Sequence, residues 1–263
     1  MKLRMVLEKD ERNNPEYIRG VAYLLKDEAS TILFDCGSCE DYINSCYSNL
    51  INLNDVTDIV LGGNLLNKTK GFARLKALHK ALIAGGNQLE QKHLLAHPDV
   101  FRPENGEIYS GSDFNKTEEE INKFFKLVLD KSSKYISHNF VYLGEDLRPK
   151  QKGDNKNYSE AVSIVYKSQK GIVLVSGKIS SDLEKLVKYA KYVTCSQKIR
   201  TFVGGLDLAY KSSDEIEALG KFLQSEAIKN IYLFSPLPAE HNGILSKYIN
   251  IEEILPNKDY VLT

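Results

Sequence analysis

Strand-like and helix-like segments occur twice in this chain in a similar order, and the apolar runs stop at glycine turns. Thr31-Ile32-Leu33-Phe34 runs into Asp35-Cys36-Gly37, and the predicted strand Asp58 to Leu61 runs into Gly62-Gly63. In the second half Gly171 to Ser176 stops at Gly177, and Arg200 to Val203 stops at Gly204-Gly205. Glycine at a strand exit lets the backbone turn where a Cβ would obstruct it. Two βαβ-like series in one chain can bury their apolar faces only by stacking, so the pattern predicts a layered α/β/β/α sandwich.

The remaining punctuation agrees with that architecture. Gly20 to Lys26 and Thr31 to Asp35 read as a hairpin around the polar turn Asp27-Glu28-Ala29-Ser30. Ala161 to Tyr166 and Gly171 to Ser176 read as a second hairpin around Lys167-Ser168-Gln169-Lys170. Gly71 to Ala84 carries Phe72, Leu75, Leu78 and Leu82 at helical spacing and stops at Gly85-Gly86. His93 to Ala96 reads as a short buried strand, and Asn230 to Phe234 as the last clear one. Helices are expected from Asp182 to Tyr192, behind a Ser181/Glu184 capping box, and from Ser212 to Glu226. A further capping box at Thr117 to Glu120 predicts a helix reaching Lys131, with Ile121, Phe124, Phe125 and Val128 on its apolar face. Arg102 to Lys116 reads as a surface excursion. The polar stretch Glu145 to Tyr158 reads as a mobile crossing, so residues 1–263 are expected to form one domain whose halves meet near 145–158.

Composition narrows the partners. Thirty-five basic residues balance thirty-five acidic ones, so no overall field attracts nucleic acid or a membrane surface. The apolar runs fall short of the roughly 18–20 residues that span a bilayer, and the N-terminus turns charged too soon for a secretory signal. A cytoplasmic protein with reduced thiols is expected.

The ordered segments resemble the metallo-β-lactamase superfamily, in which an "LFDTG" strand end precedes an HxHxDH motif that supplies most of a two-metal site. The finer resemblance is to the branch of dihydropterin–ribofuranosylaminobenzene phosphate synthases. Five segments carry it. Arg19 to Leu25 stands for its "HGLSFLI", Leu95 to Phe101 for "aHPdaF", and Gly171 to Gly177 for the start of "kGlvvltGCsHaG". Val203 to Leu208 stands for "iGGfHL", and Thr31 to Gly37 for the opening strand end. The resemblance implies a four-layer αββα fold with its site at one edge, where the strand ends at Asp35, Leu61, Ser176 and Gly205 converge.

The departures fall on the positions that would carry chemistry. Aligned on Leu61, Thr69 and Gly71, the four ligand positions read Gly63, Leu65, Asn67 and Lys68. The later histidines of the pattern fall on Ser180 and Asp207, and "HCTG" is replaced by Phe234-Ser235-Pro236-Leu237. A fixed ammonium at Lys68 would repel a dication by several kcal/mol, on the order of what low dielectric allows. No metal ligand is therefore assigned and no cofactor is expected.

The same substitutions suit an anion. Lys68 and Lys178 come from two strand-to-helix loops, and Ser180 and Ser181 precede a helix start whose free N–H groups favour phosphate or carboxylate. The candidate ligand-binding residues are Asp35, Asn67, Lys68, Lys178, Ser180, Ser181 and Asp207. An ion-paired polar cluster of the lysines with Asp35 and Asp207 is the plainer alternative. Gly177-Lys178 lacks the glycine spacing of a phosphate-binding loop, and no GxSxG elbow occurs. His79, His93, His97, His138 and His241 show no ligand spacing and are expected to be structural, His79 on the surface.

These readings predict a binding or regulatory protein for a small anionic molecule or a protein partner, without hydrolysis. Two enzyme-class alternatives stand beside it. One is a hydrolase or synthase with an unorthodox site on Asp35, Asn67, Asp207 and Cys36, using zinc, iron or manganese. The other is a thiol protein using Cys36 and Cys39, with Cys46 seven residues on.

Overall fold

The computed structural model describes residues 1–7, 21–37, 41–62, 71–85, 90–101, 118–144, 162–179, 183–206, 208, 211–234 and 236–262. The crossing expected at Glu145 to Tyr158, the excursion at Arg102 to Lys116 and the Ser181 cap lie outside them.

Strands β2 (Ala22–Lys26) and β3 (Thr31–Phe34) form the first predicted hairpin, antiparallel with Tyr23 opposite Phe34. The turn is held by Asp27, whose Oδ1 accepts from the Ala29 and Ser30 amides at 3.0 and 2.8 Å. The strand β1 (Lys2–Leu7) pairs antiparallel with β2, and the strands β4 (Asp58–Leu61), β5 (His93–Ala96) and β6 (Lys126–Leu129) add in parallel beyond β3. The second sheet contains β7 (Lys134–Tyr135), β8 (Phe140–Tyr142), β9 (Ser163–Ser168), β10 (Gly171–Ile179), β11 (Ile199–Leu206), β12 (Asn230–Leu233) and β13 (Asn250–Glu253). The last strand, β14 (Asp259–Val261), returns to the first sheet and pairs with β1. The two orders are β14-β1-β2-β3-β4-β5-β6 and β13-β12-β11-β10-β9-β8-β7.

Strand residues alternate between two buried layers, because the side-chain period of a strand is two. Tyr23, Phe34 and Val60 of the first sheet meet Val173, Val175 and Val203 of the second in a shared core. The intervening Ile172, Leu174 and Phe202 face outward under α4 (Leu183–Thr194), α5 (Ser213–Ser225) and α6 (Ala239–Leu245). Leu33, Ile59 and Leu94 do the same under α1 (Asp41–Ser48) and α2 (Phe72–Ala84). Both faces of the central strands are thus apolar, as covered sheets require. The result is the four-layer αββα sandwich. Ser212 caps α5 as read, with Glu215 completing a capping box, and α2 stops at Gly85.

Three expectations are corrected. The strands expected to stop at Gly177 and at Gly204-Gly205 run through those glycines, β10 to Ile179 and β11 to Leu206, because their parallel pairing continues at Lys178–Gly205 and Ile179–Leu206. The helix predicted from Thr117 to Lys131 ends early: α3 spans Glu118–Asn122, and Lys126–Leu129 is strand β6. Leu127-Val128-Leu129 completes the parallel ladder with β5, and its pairing outweighs the local helical spacing of Ile121, Phe125 and Val128. Ile121 and Phe125 remain buried, so the apolar positions were right and their period was misread. His79 is not on the surface but 3% exposed, stacked on Phe125 with ring centroids 5.0 Å apart.

Burial, and then the nearby Lys92 ammonium, hold the His79 imidazole below its ordinary value of 6.5, against a smaller pull from a hydrogen bond to the Phe124 backbone. Lys92 is itself fixed, donating to the carbonyls of Asn54 at 2.9 Å and Val56 at 2.5 Å. A depressed histidine stays neutral in the fold while the unfolded chain takes up a proton. Its full contribution is therefore present above pH 6.5 and declines as the pH falls below that value toward the folded pKa. Melting curves between pH 7.5 and 5 should show a decline that His79→Leu flattens. Equal slopes in the two proteins would remove His79 from this account.

Candidate functional site

The exits of β3 and β4 meet the start of β9 at one edge of the sandwich, beside Ser176 within β10 and Gly204 within β11. The Asp35 amide donates to the Val60 carbonyl at 2.9 Å as β3 and β4 leave the first sheet side by side. The Gly62 amide donates to Asp35 Oδ1 at 2.6 Å. The Gly62 carbonyl then accepts from the Val162 amide at 2.9 Å, and Val162 leads into β9 of the second sheet. One residue after Val162, the buried Ser163 hydroxyl donates to Ser176 Oγ on β10 at 2.9 Å. A Cβ on Gly204 of β11 would lie 2.8 Å from the Ser176 carbonyl oxygen. The chain Asp35–Gly62–Val162–Ser163–Ser176–Gly204 thus stitches the two sheets together along this edge.

Asp35 is the best-defined polar group there. It is 2% exposed and adopts φ 60°, a left-handed conformation that Asp tolerates better than most residues. Gly62 must be glycine for its carboxylate to fit. A Cβ would stand 3.0 Å from both Asp35 oxygens and 3.1 Å from the Phe34 ring.

Below this polar line the edge is aromatic. Phe34 stacks on Tyr23 at 6.3 Å, and Tyr23 meets Phe234 at 6.4 Å between centroids. Phe234, at the exit of β12, lies flat over Gly205, where a Cβ would come within 2.4 Å of its Cζ. All three rings are buried.

Of the residues singled out from sequence, the structure brings Asp35 fully to this edge. Lys178 is on β10, paired in register with Gly205. Asn67, Lys68, Ser180, Ser181 and Asp207 lie outside the described residues. Cys36 and Cys46 are buried in the layer beneath α1, and burial pushes the Cys46 thiol up to about 12 despite the opposing pull of Arg4. A thiol so held stays protonated and unreactive at neutral pH. Cys39 lies outside the described residues. His97 follows β5, fully buried. His93 serves the opposite strand end, with Nδ1 3.0 Å from Asp58 Oδ1. Sequence reasoning missed the aromatic floor and the Gly62–Val162 link. The departure at Phe234 was visible, but only the sheet pairing reveals what its ring packs on.

The described residues at this edge do not by themselves make a two-metal centre. Among the described residues no three His, Cys, Asp or Glu side chains cluster as a metal set. The Asp35 carboxylate is engaged by a backbone amide, and a phenyl ring occupies the β12 exit. Such a centre needs several imidazole or carboxylate donors converging on one point.

No family model matches the chain, and no curated protein does. Solved structures do. A metal-dependent hydrolase of the β-lactamase superfamily superposes with TM-score 0.75 at 15% identity, covering 100% of this chain and 99% of its own. The metallo-β-lactamase fold protein YhfI from Bacillus subtilis gives 0.63 at 9% identity, covering 98% of each chain. Unliganded yeast PDE1 gives 0.64 at 10%, covering 99% of each. This chain has the metallo-β-lactamase fold. At these identities the likeness is one of fold, and the site must be argued from this chain's own residues. No helix among the described residues is long and apolar enough to cross a membrane.

Proposed function

We propose that this chain is a single-domain, cytoplasmic metallo-β-lactamase-fold protein, related to the dihydropterin–ribofuranosylaminobenzene phosphate synthase-like branch, that binds a small anionic ligand at its strand-end edge without a resident transition metal. The observation that carries the reading is Phe234. Where the resemblance has a histidine after the strand, a buried ring packs on Gly205 and against Tyr23. The loss of donors at Gly63, Leu65, Asn67 and Lys68 points the same way. In this reading Lys68 and Lys178, with Ser180 and Ser181 preceding α4 in sequence, are the charge complement for phosphate or carboxylate, each charge-assisted hydrogen bond contributing roughly 1.5–3 kcal/mol when shielded.

Elemental analysis of protein purified without chelator should find well under one equivalent of zinc, iron or manganese. Inorganic phosphate or a phosphorylated metabolite at millimolar level should raise the melting temperature. Lys68→Ala with Lys178→Ala should abolish that rise and leave the unliganded melting point nearly unchanged. A stoichiometric metal lost on Asp207→Ala would instead establish the second reading, a hydrolase with an unorthodox site. That reading is favoured by the full-length superposition on a metal-dependent hydrolase. A drop in the unliganded melting point of the double variant would make the lysines structural partners of Asp35 and Asp207. No stabilisation by any phosphorylated compound would leave a protein partner as the better reading.

A further inference from the structure

Helix α2 is fastened by a half-polar face. Among its described side chains the buried ones are Phe72, Leu75, Lys76 and His79, one helical stripe in which two of the four residues are ionisable. The helices of the other half bury apolar groups instead, Leu183, Leu186, Val187 and Ala190 on α4 and Ile216 and Leu223 on α5. A helix with few buried apolar contacts belongs to the part of a fold that opens at low free energy. One ring holds both ends of the α2 stripe. Phe125 lies 5.3 Å from Phe72 and 5.0 Å from His79 between centroids. The helix also reaches the strand-end edge, because the Gly71 amide at its start donates to the Gly37 carbonyl at 3.2 Å, two residues past Asp35.

The His79 ring hydrogen-bonds to the Phe124 backbone, and its Nε2 is buried with no hydrogen-bond partner. The ring therefore donates through Nδ1 and keeps a bare Nε2 lone pair inside the protein, an arrangement that suits only the neutral imidazole. A proton added at Nε2 would be a buried charged donor without an acceptor. The charges nearby do not answer it. Among the described residues, the charge that acts on the ring is the Lys92 ammonium, pinned by the Asn54 and Val56 carbonyls, and it repels a second cation. Asp55 acts on Lys92 and accepts from Asn52, while Asp58 is engaged by His93 and Thr57. On α2 itself the neighbouring charges are Lys76 and Lys80, the latter 6.0 Å above the Phe124 ring. Glu90 before β5, Glu119 and Glu120 on α3, and Lys123 and Lys126 beyond it are exposed.

We propose that α2 is an acid-released element: protonation of His79 at mildly acidic pH detaches the helix from Phe125, and with it the Gly71 tie to the strand-end edge, while both sheets stay folded. In the closed helix the proton would sit on a buried Nε2 beside the Lys92 ammonium. In the opened helix water solvates it, so the open form gains as the pH falls below the ordinary imidazole value of 6.5. Once α2 is released, the Gly37 carbonyl loses the Gly71 amide and the turn after Asp35 is loosened from that side. The release does not depend on what the edge binds.

Hydrogen exchange on the intact chain tests this, read residue by residue from pH 7.5 to 5.5 and corrected for the intrinsic pH dependence of exchange. Amides from Leu75 to Ala84 should be less protected than the interior amides of α5 at every pH. Their protection should fall by up to about tenfold by pH 5.5, the ratio set by an unfolded-state value of 6.5. The Gly71 amide should follow them. His79→Leu keeps an apolar contact with Phe125 and removes the titration, so α2 protection in that variant should not change with pH. The wild type supplies a check that needs no variant: NMR titration of the His79 imidazole and the loss of α2 protection should follow one curve. Equal protection in α2 and α5 would mean that the helix opens only with the whole fold, which overturns the proposal. So does a pH-dependent loss that persists in His79→Leu, or an imidazole that titrates while α2 stays closed. A Gly71 amide that remains protected overturns the reach to the strand-end edge.

Discussion

Phe234→Ala should destabilise the protein by about 3–5 kcal/mol, the range for emptying a buried phenyl site. The ring is 5% exposed, covers Gly205 and meets Tyr23, so its loss opens a void where β11, β12 and the first sheet's aromatic pair come together. Gly205→Ala attacks the same contact from the other side. Its new methyl would stand 2.4, 2.8 and 3.0 Å from three Phe234 ring carbons, and overpacking of this kind costs about 1–3 kcal/mol. The two losses should not add. Phe234→Leu removes the ring carbons that the alanine methyl would strike, so Gly205→Ala with Phe234→Leu should be more stable than the sum of the single changes predicts. Urea denaturation of the four proteins measures the coupling. Strict additivity would mean that the ring can move off Gly205 freely, and the argument that Phe234 closes the β12 exit would fall with it.

The architecture was legible because apolar period and glycine punctuation are local signals. Thr31 to Phe34, Asp58 to Leu61 and the Ser212 cap formed as read, whereas β10 runs on past Ser176 to Ile179. The errors came where long-range pairing decides. Leu127 to Leu129 could be helix or strand by pattern, and only the free edge of β5 selects strand. Lys2 to Leu7 and Asp259 to Val261 went unread, because they pair with one another only across the whole length of the chain. His79 looked exposed because a helix face cannot be assigned without knowing where Phe125 lies. The candidate site was read from sequence as departures at Gly63, Leu65, Asn67 and Lys68, which lie outside the described residues, whereas the packing of Tyr23, Phe34 and Phe234 depends on three strands meeting.

Asp35 offers the sharpest division between scaffold and site. Its carboxylate accepts the Gly62 amide at 2.6 Å while its backbone sits at φ 60°, so one residue meets two separate demands. Asp35→Ala fails both. It leaves a buried amide without that acceptor, which costs about 1–3 kcal/mol, and it places a Cβ-bearing residue without a local polar group in the left-handed region, at roughly 1–2 kcal/mol. Asp35→Gly satisfies the backbone and fails the amide. Asp35→Asn keeps an amide oxygen as acceptor and tolerates the conformation. Stability should therefore fall in the order Asn, Gly, Ala, with Asn nearest the wild type. The Gly62 carbonyl in turn holds the Val162 amide, so the alanine change should also speed hydrogen exchange at Val162 in the other sheet. If Ala equals Asn in stability and in Val162 exchange, the Asp35–Gly62 bond does not tie the sheets together. If the order holds and phosphate still stabilises the Asn variant as well as the wild type, Asp35 shapes the strand-end edge without itself carrying the ligand.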